Sequence, residues 1–384
     1  MQEAETPAEF ENAPGRAETE RGWALSEIET PAVLVDLDVV DANIHRMQAA
    51  MAGRGVGLRP HVKSHKSVNL ARRQLQAGAI GITVSSVGEA EVFAEAGFED
   101  IFLAYTIWAG SRHRAERVMR LHSRVRSFSI GVDSEAGAQR LADATRGSRR
   151  PLRVLVEIDS GAHRTGVSPK GAGELAVACQ RLGLDVAGVF TYAGHAGKSR
   201  EARVEGAADE VRAAEEAIAS FSMQGMPVEI VSAGSTPTAL LSSRPPITES
   251  RPGEYIFNDA DNVRLGTCEG LADVALLVAA TVVSTAVDGQ VIIDAGTKVL
   301  GREGNAEKGF GLVPSIPGSS LRLLNEHHGY LSIPDGVVRP AVGDMLTVVP
   351  NHACPVANLF DEYIVMQGGS PVDRWPVDAR GHLS

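Results

Sequence analysis

A lysine at the end of a β-rich run is the first residue of this sequence with the setting of a covalent catalyst. Lys63 ends the run 56–63, and His61, His65 and Lys66 lie beside it. A strand-end lysine next to a second cation and an apolar wall can serve as the amine of a Schiff base. A solvated basic loop has the same composition, and perturbed sites are uncommon, so this segment alone leaves both interpretations open.

Two glycine-rich segments later in the chain have the composition of a phosphate site. They are AGSTPT at 233–238 and RPGEYIFND at 251–259. Loops after the last strands of a barrel commonly bind phosphate through backbone N–H groups, which glycine allows to approach closely. Such turns are also ordinary connectors, and it is their position relative to Lys63 that favours a phosphate site. The candidate phosphate-binding residues are Gly234, Ser235, Thr236, Gly253 and Tyr255.

The third candidate is a histidine and a cysteine two residues apart in the segment PNHACP. His352 and Cys354 follow a strand-like run, and in an extended segment residues i and i+2 point to the same side. An imidazole and a thiolate placed in this way can share one metal ion and leave positions for water or substrate. The pair favours Zn²⁺ or a similar borderline metal over Mg²⁺, although most His-x-Cys pairs bind no metal.

The elements that must position these side chains alternate between β-rich and helical segments from residue 31 to about residue 260. Eight βα repeats of this length match a TIM-type (β/α)8 barrel, and an open doubly wound sheet is the alternative because spacing does not show closure. In either architecture the chemistry lies at the carboxyl ends of the strands. The strand candidates are 31–37, 56–63, 81–86, 101–106, 126–133, 153–159, 186–192 and 228–234.

The remainder of the chain has a different pattern. After about residue 265 the helical spacing gives way to successive strand signals joined by Gly, Pro and Asp turns. We therefore predict an α/β barrel over 28–264, followed by an all-β domain over 265–384 that carries the His-x-Cys pair. The first residues, 1–27, are acidic and lack the features of a secretory signal, which predicts a flexible tail on a cytoplasmic protein.

Charge and cysteine content exclude several classes of function. The formal net charge is −11 over 384 residues, which argues against nucleic acid as a partner and in favour of a small molecule. No apolar run approaches the roughly 20 residues that cross a bilayer, so no membrane partner is expected. Three scattered cysteines in such a chain predict no disulfide framework.

With these segments identified, the sequence resembles the fold-type III enzymes of pyridoxal 5′-phosphate (PLP) that form the D-threonine aldolase and D-serine dehydratase family. These enzymes combine an alanine-racemase-like barrel with a β domain. The resemblance covers residues from about 28 to 384. It is carried by TPAVLVDLD, RPHVKSHK, EIDSGAHRTGV, TYAGHAG, SAGSTPT, RPGEYIFND, DAGTK, NEHHG and VPNHACP.

The resemblance implies roles for individual residues. Lys63 is expected to form the Schiff base with PLP, and Arg164 and Tyr192 to contact the pyridoxal ring. A rim salt bridge and a packed aromatic residue are the alternative interpretations of that second pair. His195 is expected to face both the metal and the substrate hydroxyl. The five candidate phosphate-binding residues of the glycine-rich segments fall where the family holds the phosphate. His352 and Cys354 match the metal pair of the family, with Zn²⁺ expected and Mn²⁺ as the alternative.

The resemblance further implies a PLP- and metal-dependent lyase that acts on small D-β-hydroxy amino acids as a homodimer. Dehydration and deamination of D-serine or D-threo-3-hydroxyaspartate are slightly favoured, because a cysteine ligand such as Cys354 is associated with the dehydratases. Retro-aldol cleavage to glycine and an aldehyde is the alternative. An amino acid racemase, which a chelator should leave active, is a third hypothesis, and a PLP carrier, which has no use for a metal, is a fourth.

Overall fold

The computed structural model describes residues 27–384, which form two units. One unit runs up to Asn43 and resumes over Ile256–Val377, and the other comprises Ile44–Tyr255 and Asp378–Ser384. The division is therefore not the linear one expected at residue 264, because each unit includes a segment from the opposite end of the chain. The flexible tail predicted for residues 1–27 lies outside the described residues, apart from its last residue.

Residues 27–384 form seventeen strands and eleven α-helices. The strands within the described residues are β1 (Ala32–Asp36), β2 (Gly57–Leu58), β3 (Ile82–Val84), β4 (Asp100–Thr106), β5 (Ser127–Val132), β6 (Arg153–Glu157), β7 (Asp185–Phe190), β8 (Ile230–Ala233), β9 (Glu249–Ser250), β10 (Leu276–Ser284), β11 (Gln290–Ile293), β12 (Gly311–Leu312), β13 (Ser320–Leu324), β14 (Gly329–Ser332), β15 (Met345–Pro350), β16 (Glu362–Gln367) and β17 (Ser370–Pro376). The helices are α1 (Leu37–Ala52), α2 (Val68–Gln76), α3 (Val87–Glu95), α4 (Arg112–Arg124), α5 (Glu135–Ala144), α6 (Ala172–Arg181), α7 (Arg200–Met223), α8 (Ala239–Ser242), α9 (Ala260–Leu265), α10 (Thr297–Leu300) and α11 (Ala353–Leu359).

Strands β2 to β9 form one parallel sheet in the order β2-β9-β8-β7-β6-β5-β4-β3. A parallel bridge between His61, just after β2, and Thr83 of β3 links the two ends of this sheet. The eight strands therefore run round a TIM-like barrel, which confirms the predicted α/β class. Four of its helices begin at a serine whose Oγ accepts the N–H three residues on, as N-caps do; these are Ser86, Ser111, Ser134 and Ser199.

One predicted barrel strand belongs elsewhere. The run 31–37 contains β1, which pairs with β10 and β16 in the sheet of the other unit. Its place in the barrel is taken by β9, which has only two residues and lies between β2 and β8. A strand of two residues is too short to produce a periodic apolar signal, so the predicted number of strands was correct although the list was not.

The barrel interior combines aromatic packing with paired charges. Phe102 and Phe190 pack edge to face with ring centroids 5.2 Å apart. Arg59 is buried and its Nε donates to Glu249 at 2.9 Å, while its Nη1 donates to Asp100 at 2.5 Å. Each of these charges has an opposite partner, which is the condition under which charged side chains are tolerated in a core.

The second unit is a largely antiparallel sheet of nine strands. Seven of them follow the order β13-β14-β11-β10-β1-β16-β17, and β15 pairs with both β10 and β12. This confirms the predicted C-terminal β domain, although the parallel pairing of β1 with β16 and the helices α9, α10 and α11 were not expected. No disulfide joins Cys179, Cys268 or Cys354 within the described residues. None of the helices described between residues 27 and 384 is both long and apolar enough to cross a membrane.

The contact between α6 and α7 offers a test of the barrel packing. A Cβ built at Gly173 in α6 would lie 2.3 Å from the carbonyl oxygen of Ser220 in α7. Because a backbone atom cannot move aside cheaply, Gly173→Ala should lower the free energy of unfolding by about 1–3 kcal/mol. The control Gly171→Ala should change it by less than about 0.5 kcal/mol, since no atom lies within 4 Å of its Cβ position. Urea unfolding followed by circular dichroism measures both, and equal effects would contradict the prediction.

Candidate active site

Three residues predicted from separate motifs meet at the carboxyl end of the barrel. Lys63 lies in the 3₁₀ turn Val62–Ser64, directly after β2. Its Nζ is 6.0 Å from the ring centroid of Tyr192, and the guanidinium carbon of Arg164 is 5.0 Å from the same centroid. Two cations therefore lie against one exposed aromatic ring, an arrangement that the ring quadrupole stabilises.

The second cation expected beside Lys63 is paired with a buried carboxylate. Lys66 is buried, and its Nζ lies 3.3 Å from a carboxylate oxygen of Glu89. The backbone of Lys66 is left-handed, with φ of 52°, and its carbonyl accepts the N–H of Ala379 at 2.9 Å. Arg164, rather than Lys66, is the cation seen against the same aromatic ring as Lys63.

A chain of buried hydrogen bonds connects the turn of Lys63 to the second glycine-rich segment. The Nδ1 of His65 accepts the N–H of Ser67 at 3.1 Å, and its Nε2 lies 3.2 Å from the Oε1 of Gln74. The Nε2 of Gln74 donates in turn to the hydroxyl of Tyr255 at 2.9 Å. Because Nδ1 is an acceptor, the ring proton of His65 is assigned to Nε2. Burial lowers the pKa of His65 to about 4, so this ring is neutral at pH 7.

The two glycine-rich segments lie together, and at one glycine of each a side chain would collide with a neighbouring serine. A Cβ at Gly234, whose φ is 81°, would lie 2.2 Å from Ser250 Oγ, and one at Gly253 would lie 2.5 Å from Ser64 Oγ. The two serine Oγ atoms and the Nδ1 of His61 are buried and have no hydrogen-bond partner among the described residues. Unpaired buried polar atoms are costly, so this set fits a polar group such as a phosphate.

The remaining phosphate candidates connect the two segments. The backbone N–H of Tyr255 donates to Thr236 Oγ1 at 3.1 Å, and the N–H of Ser235 donates to Thr238 Oγ1 at 2.9 Å. The hydroxyl of Tyr255 accepts a hydrogen bond from the Nε2 of Gln74, and burial raises its pKa. Tyr255 therefore joins the phosphate segment to α2.

Sequence reasoning missed a buried arginine in the second glycine-rich segment. The Nη2 of Arg251 donates to the carbonyl of Thr191 at 2.6 Å, and its Nη1 donates to Ser232 Oγ. The guanidinium carbon lies 5.8 Å and 5.5 Å from the ring centroids of Phe102 and Phe190. Burial lowers the pKa of Arg251. An arginine inside a glycine-rich motif was the available signal.

Arg164 makes the salt bridge at the barrel rim that was the alternative interpretation of this residue. Besides lying against Tyr192, it is 3.8 Å from an Oε1 of Glu157 at the end of β6. The same oxygen accepts a hydrogen bond from Thr165 at 2.6 Å, and burial raises the pKa of Glu157. The rim salt bridge and the aromatic contact therefore coexist.

His195 is held by a carboxylate from the following helix. It lies in the 3₁₀ turn Gly194–Gly197, and its Nε2 is 2.9 Å from the Oδ2 of Asp209 in α7. Its Nδ1 is buried and has no hydrogen-bond partner within the described part of the chain. Asp209 was not identified from the sequence, because an aspartate among Glu and Ala on a long helix has the pattern of a solvated face.

The predicted metal pair lies in the other unit, in a backbone that differs from the expected one. His352 is extended, but Cys354 lies in the first turn of α11, so the segment is not a continuous strand. The ligand atoms of the two residues are nevertheless within 4.8 Å of each other. A carboxylate oxygen of Glu303 lies 3.2 Å from the Nδ1 of His352, a neighbour that the sequence did not reveal. Imidazole and thiolate donors at this separation fit a divalent metal of the zinc type.

Comparisons with known proteins agree with these motifs. The sequence matches the family described as alanine racemase, N-terminal domain, over residues 35–261 and a serine dehydratase domain over residues 275–366. It is 37% identical over 377 residues to a D-threo-3-hydroxyaspartate dehydratase of Delftia sp. (strain HT23), covering 91% of this chain and 97% of that protein. These matches confirm the resemblance found from the motifs.

Solved structures give the same result. The structure of D-threonine aldolase from Filomicrobium marinum matches with a TM-score of 0.84 and 32% identity, covering 93% of this chain and 97% of that one. A cysteine-to-alanine mutant of D-threo-3-hydroxyaspartate dehydratase, described as the metal-free form, matches with a TM-score of 0.83 and 35% identity over 91% and 98% of the two chains.

The buried His65 should make the protein less stable in mild acid. Its pKa is about 4 in the folded chain and close to 6.5 when unfolded, so only the unfolded state takes up this proton between those values. The free energy of unfolding should therefore fall by up to about 3 kcal/mol as the pH decreases from about 6.5 to about 4. In His65→Gln this part of the pH dependence should disappear, whereas the exposed control His113→Gln should retain it. Urea unfolding at several pH values measures the slopes, and identical slopes in both variants would contradict the assignment.

Proposed function

Since the chain belongs to the alanine-racemase-like family of PLP-dependent lyases that act on D-β-hydroxy amino acids, we propose that it dehydrates its substrate. The substrate class is D-threo-3-hydroxyaspartate or D-serine, and the products are a keto acid and ammonia. The similarity to the D-threo-3-hydroxyaspartate dehydratase favours this reaction, and the observation that carries the cofactor assignment is the position of the Lys63 amine. It lies 6.0 Å from the centroid of Tyr192, in the same unit as the buried polar atoms beside Gly234 and Gly253.

We assign the cofactor contacts as follows. Lys63 holds PLP covalently, and Tyr192 and Arg164 contact its ring. The phosphate lies at the segments of Gly234 and Gly253, beside the buried Oγ atoms of Ser64 and Ser250, which have no hydrogen-bond partner among the described residues. Bound PLP supplies a conjugated ring that stabilises negative charge on the α-carbon of an amino acid. The contributing phosphate residues are Gly234, Ser235, Thr236, Gly253 and Tyr255, the last through its backbone and its bond to Gln74.

The metal assignment rests on the donor set of the other unit. His352 and Cys354 hold a divalent ion, with Zn²⁺ proposed and Mn²⁺ as the alternative. Such an ion acts as a Lewis acid toward a hydroxyl group. The metal-free form described for the cysteine mutant of the related dehydratase supports Cys354 as a ligand.

The chain's own residues then move two protons. In dehydration the amine of Lys63, once released by the substrate amine, removes the proton on the α-carbon. The departing β-hydroxyl must gain a proton, and His195 is the residue we assign to this transfer. Both side chains lie at strand ends of one barrel, where catalytic groups of this fold are found.

Retro-aldol cleavage is the second candidate, and it is favoured by the similarity to the D-threonine aldolase structure. In that reaction His195 removes the proton of the β-hydroxyl and the bond between the α- and β-carbons breaks. The same residues serve both reactions, so product analysis is required to separate them.

Product analysis across three D-amino acids tests the proposal. Protein loaded with PLP and with Zn²⁺ or Mn²⁺ is incubated with D-threo-3-hydroxyaspartate, D-serine and D-threonine, with and without EDTA. We expect keto acid and ammonia from at least one of the first two, and loss of this product with EDTA. Glycine and an aldehyde would identify retro-aldol cleavage. The L-isomer formed in chelator would identify a racemase, and no product from any substrate would refute the lyase.

Two substitutions should separate the cofactor from the metal. Lys63→Ala should abolish both turnover and the cofactor absorbance near the visible edge, because no other described lysine lies against Tyr192. Cys354→Ala should keep the absorbance and lower turnover at least about 100-fold, the loss expected when a Lewis acid is removed. The exposed control Lys170→Ala should retain both properties. Borohydride reduction and peptide mapping locate the modified lysine, and label on a lysine other than Lys63 would contradict the assignment.

We also propose a homodimer, which is the arrangement implied by the resemblance to the family. Sedimentation equilibrium should then give about twice the chain mass of 40.5 kDa. A monomer that is fully active would contradict this proposal.

A further inference from the structure

The contact between His195 and Asp209 determines which nitrogen of the histidine is available for chemistry. The Nε2 of His195 lies 2.9 Å from the Oδ2 of Asp209. An ionised carboxylate only accepts hydrogen bonds, so Nε2 carries the ring proton in this pair. The Nδ1 of the neutral ring is then an acceptor, and it is the atom that is buried without a hydrogen-bond partner among residues 27–384.

Other contacts restrict both partners of this pair. A Cβ built at Gly161, whose φ is 110°, would lie 3.2 Å from the Cε1 of His195, so the ring lies closely against this backbone. The other oxygen of Asp209 accepts from Arg212, one turn further along α7. Arg212 thus pairs with the oxygen of Asp209 that His195 does not use, and Oδ2 remains directed at the imidazole.

We propose that Asp209 is a positioning residue that fixes the tautomer and the orientation of His195. Through this contact Nδ1 is the nitrogen that exchanges a proton with the β-hydroxyl of the substrate. The carboxylate also stabilises the positive charge that the ring acquires while it holds this proton. The inference rests on the proposed function, because it assigns a proton transfer to His195, but its structural part can be tested without a substrate.

Substitution of Asp209 tests the inference by kinetics. Asp209→Ala should lower kcat by about 10- to 100-fold with little change in KM, a loss within the range of general acid–base catalysis. The cofactor absorbance and the borohydride labelling of Lys63 should be unchanged. Glu216→Ala, an exposed position on the same helix, is the matched control and should retain full turnover. Wild-type turnover in Asp209→Ala would overturn the inference.

Two further measurements distinguish positioning from a structural role. Formate should restore part of the activity of Asp209→Ala, because a small carboxylate can occupy the vacated position. The double variant with His195→Ala should be no slower than His195→Ala alone, since Asp209 acts through that ring. Losses that multiply, or an absence of rescue by formate, would contradict the inference.

A spectroscopic measurement keeps this inference separate from the proposed function. In protein labelled with ¹⁵N-histidine, the His195 signals are identified by their absence in His195→Ala. The wild type should show a protonated Nε2 and an unprotonated Nδ1, and Asp209→Ala should show a mixture of both tautomers. An unchanged ring in Asp209→Ala would overturn the inference. If the wild type formed no product and Lys63 stayed unlabelled, the proposed function would be refuted. The change of tautomer in Asp209→Ala would still support the role of Asp209.

Discussion

The position of the Lys63 amine depends on a series of buried hydrogen bonds that runs from His65 through Gln74 to Tyr255. Lys63 lies on a short 3₁₀ turn with an exposed side chain, so its own contacts do not fix the turn. The series of hydrogen bonds fixes the turn instead, because His65 follows directly after it. At the other end of the series, Tyr255 belongs to the segment proposed to hold the phosphate. Loss of one of these hydrogen bonds would leave a buried donor or acceptor unpaired, at a cost of about 1–3 kcal/mol. The amine and the phosphate segment are thereby held at a defined separation.

The same turn is held from its other side by the end of the chain. Lys66 has a left-handed backbone, which costs a residue other than glycine about 1–2 kcal/mol, and its ion pair with Glu89 and the N–H of Ala379 offset that cost. The Oδ2 of Asp378 accepts the N–H of Val68 at 2.7 Å, at the start of α2. Residues 378–384 therefore belong to the barrel unit, although they follow the β domain in sequence.

The sequence predicted the features that depend on periodic burial and on local composition. Apolar runs ending in polar motifs identified the barrel, and the glycine-rich segments were found because glycine is needed where a Cβ would collide, as at Gly234 and Gly253. The features that depend on pairing between distant residues were missed. Strand β1 has the same composition as a barrel strand but pairs with β10. Gln74 and Asp209 lie on helices among other polar residues, and only tertiary contact distinguishes a hydrogen-bonded residue from a solvated one.

The two reactions open to this family differ in the direction of proton transfer at two atoms. Dehydration removes a proton from the α-carbon and delivers one to the β-oxygen, whereas retro-aldol cleavage removes the proton from the β-oxygen and later delivers one to the α-carbon. The same pair, Lys63 and His195, is proposed to serve both reactions, so these residues do not select between them. The contact of Asp209 with Nε2 of His195 at 2.9 Å serves either direction of transfer, because Nδ1 can then take a proton from the β-oxygen or return one to it. Selection between the two reactions must therefore lie in which bond of the α-carbon breaks, the bond to hydrogen or the bond to the β-carbon.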